Sequence, residues 1–285
     1  MAATLSYDNF VISATGVRMP KILYGTAWKQ ARTEKLVKQA VGLGFRGIDT
    51  ACQPKHYDEA GVGAGLAASL TGTLRRSDLY IQTKFTSLSG HDHKRVPYDP
   101  EVTLAEQVAQ SFETSRRNLR TDYLDCLVLH SPLPDEGQMS EVWQAMEHIV
   151  RQGGARQLGL SNCYRPEELA RIYGATSVKP AVLQNRYYAK THYDATIREF
   201  CLAHHIIYQS FWTLTANPEI LAQETVQALA STYRRTPAQI LFRYLTQIGI
   251  VPLTGTSSPE HMSEDLAIFA FELTAGEVTQ MSGLF

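Results

Sequence analysis

The stretch GFRGIDTACQPKHYDEAGVG, residues 44–63, gathers groups that could move a proton. Asp49 closes a short apolar run, and a knot of ionisable side chains follows it: Lys55, His56, Tyr57, Asp58 and Glu59. Farther along, Lys84 ends the run DLYIQTK and His130 ends DYLDCLVLH. An ammonium emerging from a buried strand wants a carboxylate, which Asp49 could supply. A tyrosine beside that ammonium has its phenolate stabilised, which draws down a pKa that starts near ~10. It can then donate a proton near neutral pH, a contribution of ~10²–10⁴-fold in rate. A histidine at the next strand end could hydrogen-bond the oxygen receiving that proton. Asp49, Tyr57, Lys84 and His130 together make an apparatus for polarising and protonating a carbonyl. No nucleophile with an activating base stands out, and no cluster has metal-ligand spacing. The missing ingredient is a hydride.

Such groups must be brought together by a scaffold. Eight apolar runs recur, each ending in polar or small residues: KILYGTA, RGIDT, DLYIQTK, DYLDCLVLH, ARQLGLSN, PAVLQN, HIIYQS and GIVPLTG. Between them lie amphipathic stretches such as TEKLVKQAVGLG and MSEVWQAMEHIVRQGG, with apolar residues at helical spacing and Gly near the end. Short strands alternating with helices imply a parallel sheet, and eight units in this length close most economically into a (β/α)₈ TIM barrel. A doubly wound open sheet is the other α/β solution, weakened because no strand is followed by a G-x-G-x-x-G turn. NFVISATGVRMPKI reads as an N-terminal β-hairpin with its turn near Thr15 and Gly16. No linker or repeat divides residues 1–285, so one domain is expected. In a barrel the site forms at the C-terminal strand ends. There the chain offers Asp49, Lys84, His130, Ser161, Asn162, Gln184, Asn185, Ser210 and Thr254. The polar, Pro-containing connection at 86–100, with His91, His93 and Tyr98, could add a wall.

The composition fits an ordinary soluble protein: of 285 residues, 44% are apolar and 19% charged, and the net charge is −1. Nothing steers such a chain toward nucleic acid or an anionic membrane. The N-terminus has neither the cationic start nor the apolar run of a secretory signal, and no apolar stretch approaches the ~20 residues of a membrane span. Cys52, Cys126, Cys163 and Cys201 lie far apart, as incidental thiols in a reducing compartment do. A cytoplasmic location is expected.

Taken in order, GTAWK, GFRGIDTA, YDEAGVG, YIQTKF, DYLDCLVLHSP, GLSN and the Gln of AVLQN resemble the aldo-keto reductase superfamily, from about Gly25 to Asp265. The resemblance implies the same barrel, a nicotinamide cofactor and a small carbonyl substrate. It implies that Asp49, Tyr57, Lys84 and His130 form the catalytic tetrad, and that Ser161, Asn162 and Gln184 hold the nicotinamide carboxamide. One departure bears on the proton donor. The family usually reads D-T-A-x-x-Y-x-N-E, whereas here Asp49 is followed by a longer loop. Aligning on EAGVG places His56 where the family tyrosine stands and Tyr57 one residue later. Tyr57 is the expected donor, because an imidazolium would be repelled by Lys84 while a phenolate is attracted. His56 is left as a solvated neighbour or a substrate contact.

At the other end, TGTSSPEHMSEDL places Ser258 as an N-cap, Pro259 at the first helical position and Glu260 in the first turn. Backbone N–H groups and hydroxyls beside that helix start suit an anion, so Thr254, Gly255 and Thr256, with Glu264 and Asp265 beyond, are expected at the cofactor. The family commonly has a lysine and an arginine here for the 2′-phosphate of NADPH. This chain has Leu253 and His261 in their places. NADP(H) is the family expectation, and the charge pattern leaves NAD(H) open. Gln209 stands where many relatives have a tyrosine stacked on the nicotinamide; Gln209 and Ser210 are still expected at the cofactor, with Trp212, Tyr187 or Tyr188 as candidate stacking faces. Trp28 resembles a pocket-lining aromatic. The last helical segment is soon followed by Phe285, which suggests an open site with broad specificity for aldehydes. The same residues admit two other readings: a non-catalytic nucleotide-binding regulatory subunit, and a barrel enzyme that uses the anion site for a sugar phosphate.

Overall fold

In the computed structural model, which describes residues 9–285, two short strands form a hairpin ahead of a closed barrel. Strands β1 (Phe10–Ile12) and β2 (Arg18–Pro20) pair antiparallel, turning at Gly16, whose φ of 82° suits a residue without Cβ. Ser13 and Thr15 both donate to Gln157 Oε1, beside the first residue of a barrel strand. Val17 and Met19 thereby plug the N-terminal mouth of the barrel.

The eight parallel strands are β3 (Leu23–Gly25), β4 (Gly47–Asp49), β5 (Tyr80–Phe85), β6 (Cys126–Leu129), β7 (Leu158–Ser161), β8 (Pro180–Arg186), β9 (Ile207–Phe211) and β10 (Val251–Thr254). They neighbour one another in sequence order, and β10 closes on β3. The helices are α1 (Thr33–Leu43), α2 (Glu59–Ser69), α3 (Leu104–Leu119), α4 (Glu136–Arg151), α5 (Pro166–Ala175), α6 (Ala195–Ala203), α7 (Pro218–Leu221), α8 (Glu224–Tyr233), α9 (Pro237–Gln247), α10 (Pro259–Leu266) and α11 (Ala275–Ser282). All eight expected strands and the hairpin are present, so the closed barrel replaces the open-sheet alternative.

Strand periodicity decides which side chains reach the interior. In β5, Ile81 and Phe85 join the core between barrel and helices, while Tyr80, Gln82 and Lys84 share the opposite, inward face. The inner core is apolar at its base, with Leu23, Val128, Val182, Ile207 and Val251. Above it lies a polar layer. Gln82 and Gln184 each donate to Asp49 Oδ1, at 2.6 and 2.9 Å, and both also donate to Gln209 Oε1. Gln209 returns a bond to Gln82 Oε1 at 2.9 Å. Buried amides bonded to one another and to the Asp49 carboxylate fix the strand register at this level.

Among the described residues no helix is long and apolar enough to cross a membrane. All four cysteines are buried and unpaired.

Candidate active site

At the C-terminal rim, a cleft of about 890 Å³ opens over the polar layer. Its catalytic end is built from β4, β5 and β6. Lys84 is 1% exposed; its Nζ donates to Asp49 Oδ1 at 2.7 Å and to the Thr50 carbonyl at 2.8 Å. Burial pushes the ammonium pKa down, but Asp49 and Tyr57 outweigh it and the net direction is up. The charged form therefore persists in a place where an unpaired ammonium would not.

The polar knot after Asp49 comes apart in space. Lys55 is exposed, and Asp58 caps α2 by accepting from the Gly61 N–H at 2.9 Å. Glu59 turns away from the rim, accepting from Thr83, Ser115 and Asn118, and its burial raises its pKa. His56 and Tyr57 belong to one helical turn, their N–H groups both bonded to the Gln53 carbonyl at 3.1 Å. Consecutive residues on such a turn diverge by about 100°, so the two rings cannot face the same way. The His56 ring lies 3.9 Å from that of Trp28, and its carbonyl accepts from the Trp28 N–H at 2.7 Å. Tyr57 faces inward: its ring centroid is 5.3 Å from Lys84 Nζ and 6.2 Å from the His130 ring.

The phenol differs from its expected state. Lys84 does pull the Tyr57 pKa down, but burial comes first and pushes it up, Asp49 adds to that, and the net direction is up. Tyr57 is held as a phenol at neutral pH. His130 is held neutral too: burial, reinforced by the Lys84 charge, brings its pKa to about 3. Its Nδ1 is 2.7 Å from Thr86 Oγ1.

Thr86 and Gln82 were not singled out in the sequence. Thr86 follows β5 directly, and its carbonyl accepts from both His91 Nε2 and the Tyr98 hydroxyl. The 86–100 connection thus braces Thr86 from behind. Gly90 reaches the cleft, whereas His91 and Tyr98 do not line it. The inward period of β5, which Gln82 shares with Lys84, was the available signal for Gln82.

The other expected residues fall into two groups. Trp28, His56, Ser161, Asn162, Gln184, Trp212, Thr254, Gly255, Thr256, Glu264 and Asp265 all line the cleft. Ser161 donates to the Gln184 carbonyl and Asn162 to the His130 carbonyl, which ties β6, β7 and β8 together at the rim. Trp28, Asn162 and Trp212 hold left-handed backbone, at φ 64°, 53° and 56°, a conformation uncommon outside special sites. Gln209 and Ser210, expected at the cofactor, do not line the cleft. Gln209 points into the barrel one layer below it. Ser210, next along the strand, points the opposite way and bonds Thr213 Oγ1 at 2.9 Å. Of the three candidate stacking rings, Trp212 is on the cleft, while Tyr187 is buried against Tyr193 and Phe285.

At the far end, Ser258 caps α10 by accepting from the His261 N–H, and Thr254 Oγ1 donates to Asp265 Oδ2 at 2.7 Å. Burial raises the Asp265 pKa to about 6, against the Thr254 hydrogen bond and the His261 charge. Lys29, between β3 and α1, donates from Nζ to the Gly255 carbonyl. Four acid–base groups at one end and a long, partly apolar channel with hydroxyls and a helix start at the other suit a dinucleotide laid across the rim.

The Aldo/keto reductase family pattern matches residues 21–284. The chain is 30% identical to an NADPH-dependent alpha-keto amide reductase of Saccharomyces cerevisiae, over 98% of this chain and 91% of that one. It is 30% identical to an aldo-keto reductase of Mycobacterium tuberculosis, over 93% and 87%. The solved structure of a Bombyx mori aldo-keto reductase in complex with NADP shares the fold, with a TM-score of 0.82 at 24% identity over 99% of this chain and 93% of that one.

Proposed function

Because the chain belongs to the aldo/keto reductase family and is an NAD(P)-dependent oxidoreductase that reduces carbonyls, we propose that Tyr57 is the proton donor of that reaction. Asp49, Lys84 and His130 complete the apparatus. The observation that carries this reading is the divergence of the two neighbouring rings. Tyr57 lies against Lys84 and His130, while the His56 ring packs tilted against Trp28 at the outer wall.

The nicotinamide supplies the hydride when bound. The chain's own residues do the rest. Neutral His130, its Nδ1 engaged by the Thr86 hydroxyl, offers Nε2–H to the carbonyl oxygen and orients it. Tyr57 gives its proton to that oxygen as negative charge builds there. The phenolate left behind is stabilised by the Lys84 ammonium, which Asp49 holds in place. Charge that develops only during the reaction is the kind that such a preset cation stabilises selectively.

Ser161, Asn162 and Gln184 hold the nicotinamide end, with Trp212 as its stacking face. Thr254, Gly255, Thr256, Glu264 and Asp265 hold the adenosine end. The yeast relative's name and the silkworm complex support NADP(H). Leu253 and His261, in the places of the family's two cations, support acceptance of NAD(H) as well. Trp28 and His56 form the substrate wall, suited to small aldehydes whose apolar parts are weakly discriminated. The regulatory-subunit alternative is not favoured, since the named relatives are reductases.

The test is initial rates of NADPH and NADH oxidation with a small aromatic aldehyde. Tyr57→Phe should lose about 10²–10⁴-fold in kcat with coenzyme affinity unchanged, whereas His56→Ala should change kcat only a few-fold. The reverse ranking would move the donor to His56.

A further inference from the structure

A charged side chain in the cleft has no role in the reaction described above. Arg186 ends β8 and lines the cleft beside Trp212. Its guanidinium carbon sits 4.2 Å from the Trp212 ring centroid, 5.4 Å from Tyr188 and 6.0 Å from Phe211. Its backbone N–H is taken by the Tyr164 hydroxyl at 3.0 Å. Among the described residues, no carboxylate, carbonyl or hydroxyl accepts from the guanidinium itself. The contrast with other arginines is direct: Arg76 pairs with Asp125, Arg151 with Glu147 and Arg165 with Glu168. A guanidinium held over an indole face is positioned by the ring without using its N–H donors on the protein. A half-buried, preset fork of donors with no acceptor from the protein is suited to an anion.

Barrel order indicates which anion. The rim runs from β7 and β8, with Asn162 and Gln184, over β9 to β10, with Thr254. Arg186 on Trp212 occupies the β8–β9 stretch of that path. Lys29, after β3, covers Gly255 from the other side of β10. A dinucleotide with its carboxamide at Gln184 and its adenosine at Thr256 and Asp265 must carry its phosphates across the ground between them. We propose that Arg186 grips the pyrophosphate of the coenzyme, supplying from β8 positive charge that the β10–α10 segment lacks at Leu253 and His261. This rests on the cofactor placement given above.

The experiment is calorimetric titration of NADH and NADPH into wild type, Arg186→Gln and Arg186→Lys. It is paired with KM values for benzaldehyde and 4-carboxybenzaldehyde at saturating coenzyme. Arg186→Gln should weaken both coenzymes to a similar degree, about tenfold or more, and leave both aldehyde KM values in place. Arg186→Lys should keep part of the affinity, showing charge without the fork. Unchanged affinity for both coenzymes would overturn the proposal. So would a loss confined to NADPH, which would assign Arg186 to the 2′-phosphate, or a rise only in the carboxylated aldehyde's KM, which would assign it to substrate. Wild type binding neither coenzyme would instead bring down the cofactor placement itself. Ser161→Ala, which lies at the carboxamide end, separates that failure from the failure of Arg186.

Discussion

The two ends of the cleft are held by different physics. At β4–β6, Asp49 and Lys84 are nearly inaccessible, and the Asp49 carboxylate takes three bonds, from Lys84, Gln82 and Gln184. Moving any one of these groups strands a buried charge or amide. At β8–β10 the polar groups sit on loops and a helix start, several are exposed, and Arg186 is held by ring faces rather than by an acid. The first region fixes residue identity and position together. On the coenzyme placement proposed above, the second needs only that positive charge arrive somewhere along the path, and different strands can supply it. The loop before Tyr57 belongs to the first kind. The phenol arrives at Lys84 because the turn is pinned at both ends, by Cys52 N–H on the Lys84 carbonyl and by the bond between His56 and Trp28.

The largest effect that would break this contrast lies in the buried pair. Lys84→Met leaves Asp49 without its counter-charge and should cost about 3–5 kcal/mol of stability in urea unfolding. Asp49→Asn combined with Lys84→Met should recover much of that loss, while remaining inactive. A single variant as stable as wild type, or a double variant that loses the sum of the two singles, would show that the charges are not coupled as described.

The acid side of the same region gives a second check. The His130 pKa of about 3 lies below the ordinary histidine value of ~6.5. Below ~6.5 the unfolded chain takes up a proton that the folded site refuses. The stability linked to His130 is therefore intact above ~6.5 and is lost as pH falls toward 3. The melting temperature of His130→Asn should fall less steeply than that of wild type over this window. For the reaction, the rate of reduction should stay level through neutral pH and decline only above the ordinary tyrosine range, since Tyr57 is shifted upward. A bell centred on pH 6–7 would place a titrating imidazole in the chemistry instead.

The smallest expected effect is at the permissive end. Leu253→Lys should raise affinity for NADPH relative to NADH by up to about fivefold, an effect that fades with added salt. No change would mean that this position does not face the 2′-phosphate in this chain.

Much of this protein was legible before folding. Alternation of apolar runs with helical stretches gave eight strands and their order, because a parallel strand buried on both faces has few sequence alternatives. The turn at Gly16, the Ser258 cap and the strand-end positions of Asp49, Lys84 and His130 followed from local rules. Distance along the chain could not tell how consecutive residues share a turn, so His56 and Tyr57 separated only when the loop was pinned in space. Strand ends also overstate reach. Gln209 and Ser210 lie near the end of β9 much as Gln184 and Asn185 lie near the end of β8, but depth in the barrel and the two-residue period remove Gln209 and Ser210 from the cleft. The state of Tyr57 is hidden from the sequence for a related reason. The sequence shows that a lysine will be near, but desolvation, which outweighs it, depends on everything packed around the phenol. Arg186 carries no mark in the sequence, because what distinguishes it is a guanidinium that no acceptor in the fold engages. Sequence by itself determined the barrel and the kinds of groups on its rim, since both follow from short-range pattern. Tertiary structure alone decided which of those groups face one another, which are buried and which remain unpaired, since those properties belong to contacts between strands far apart in the chain.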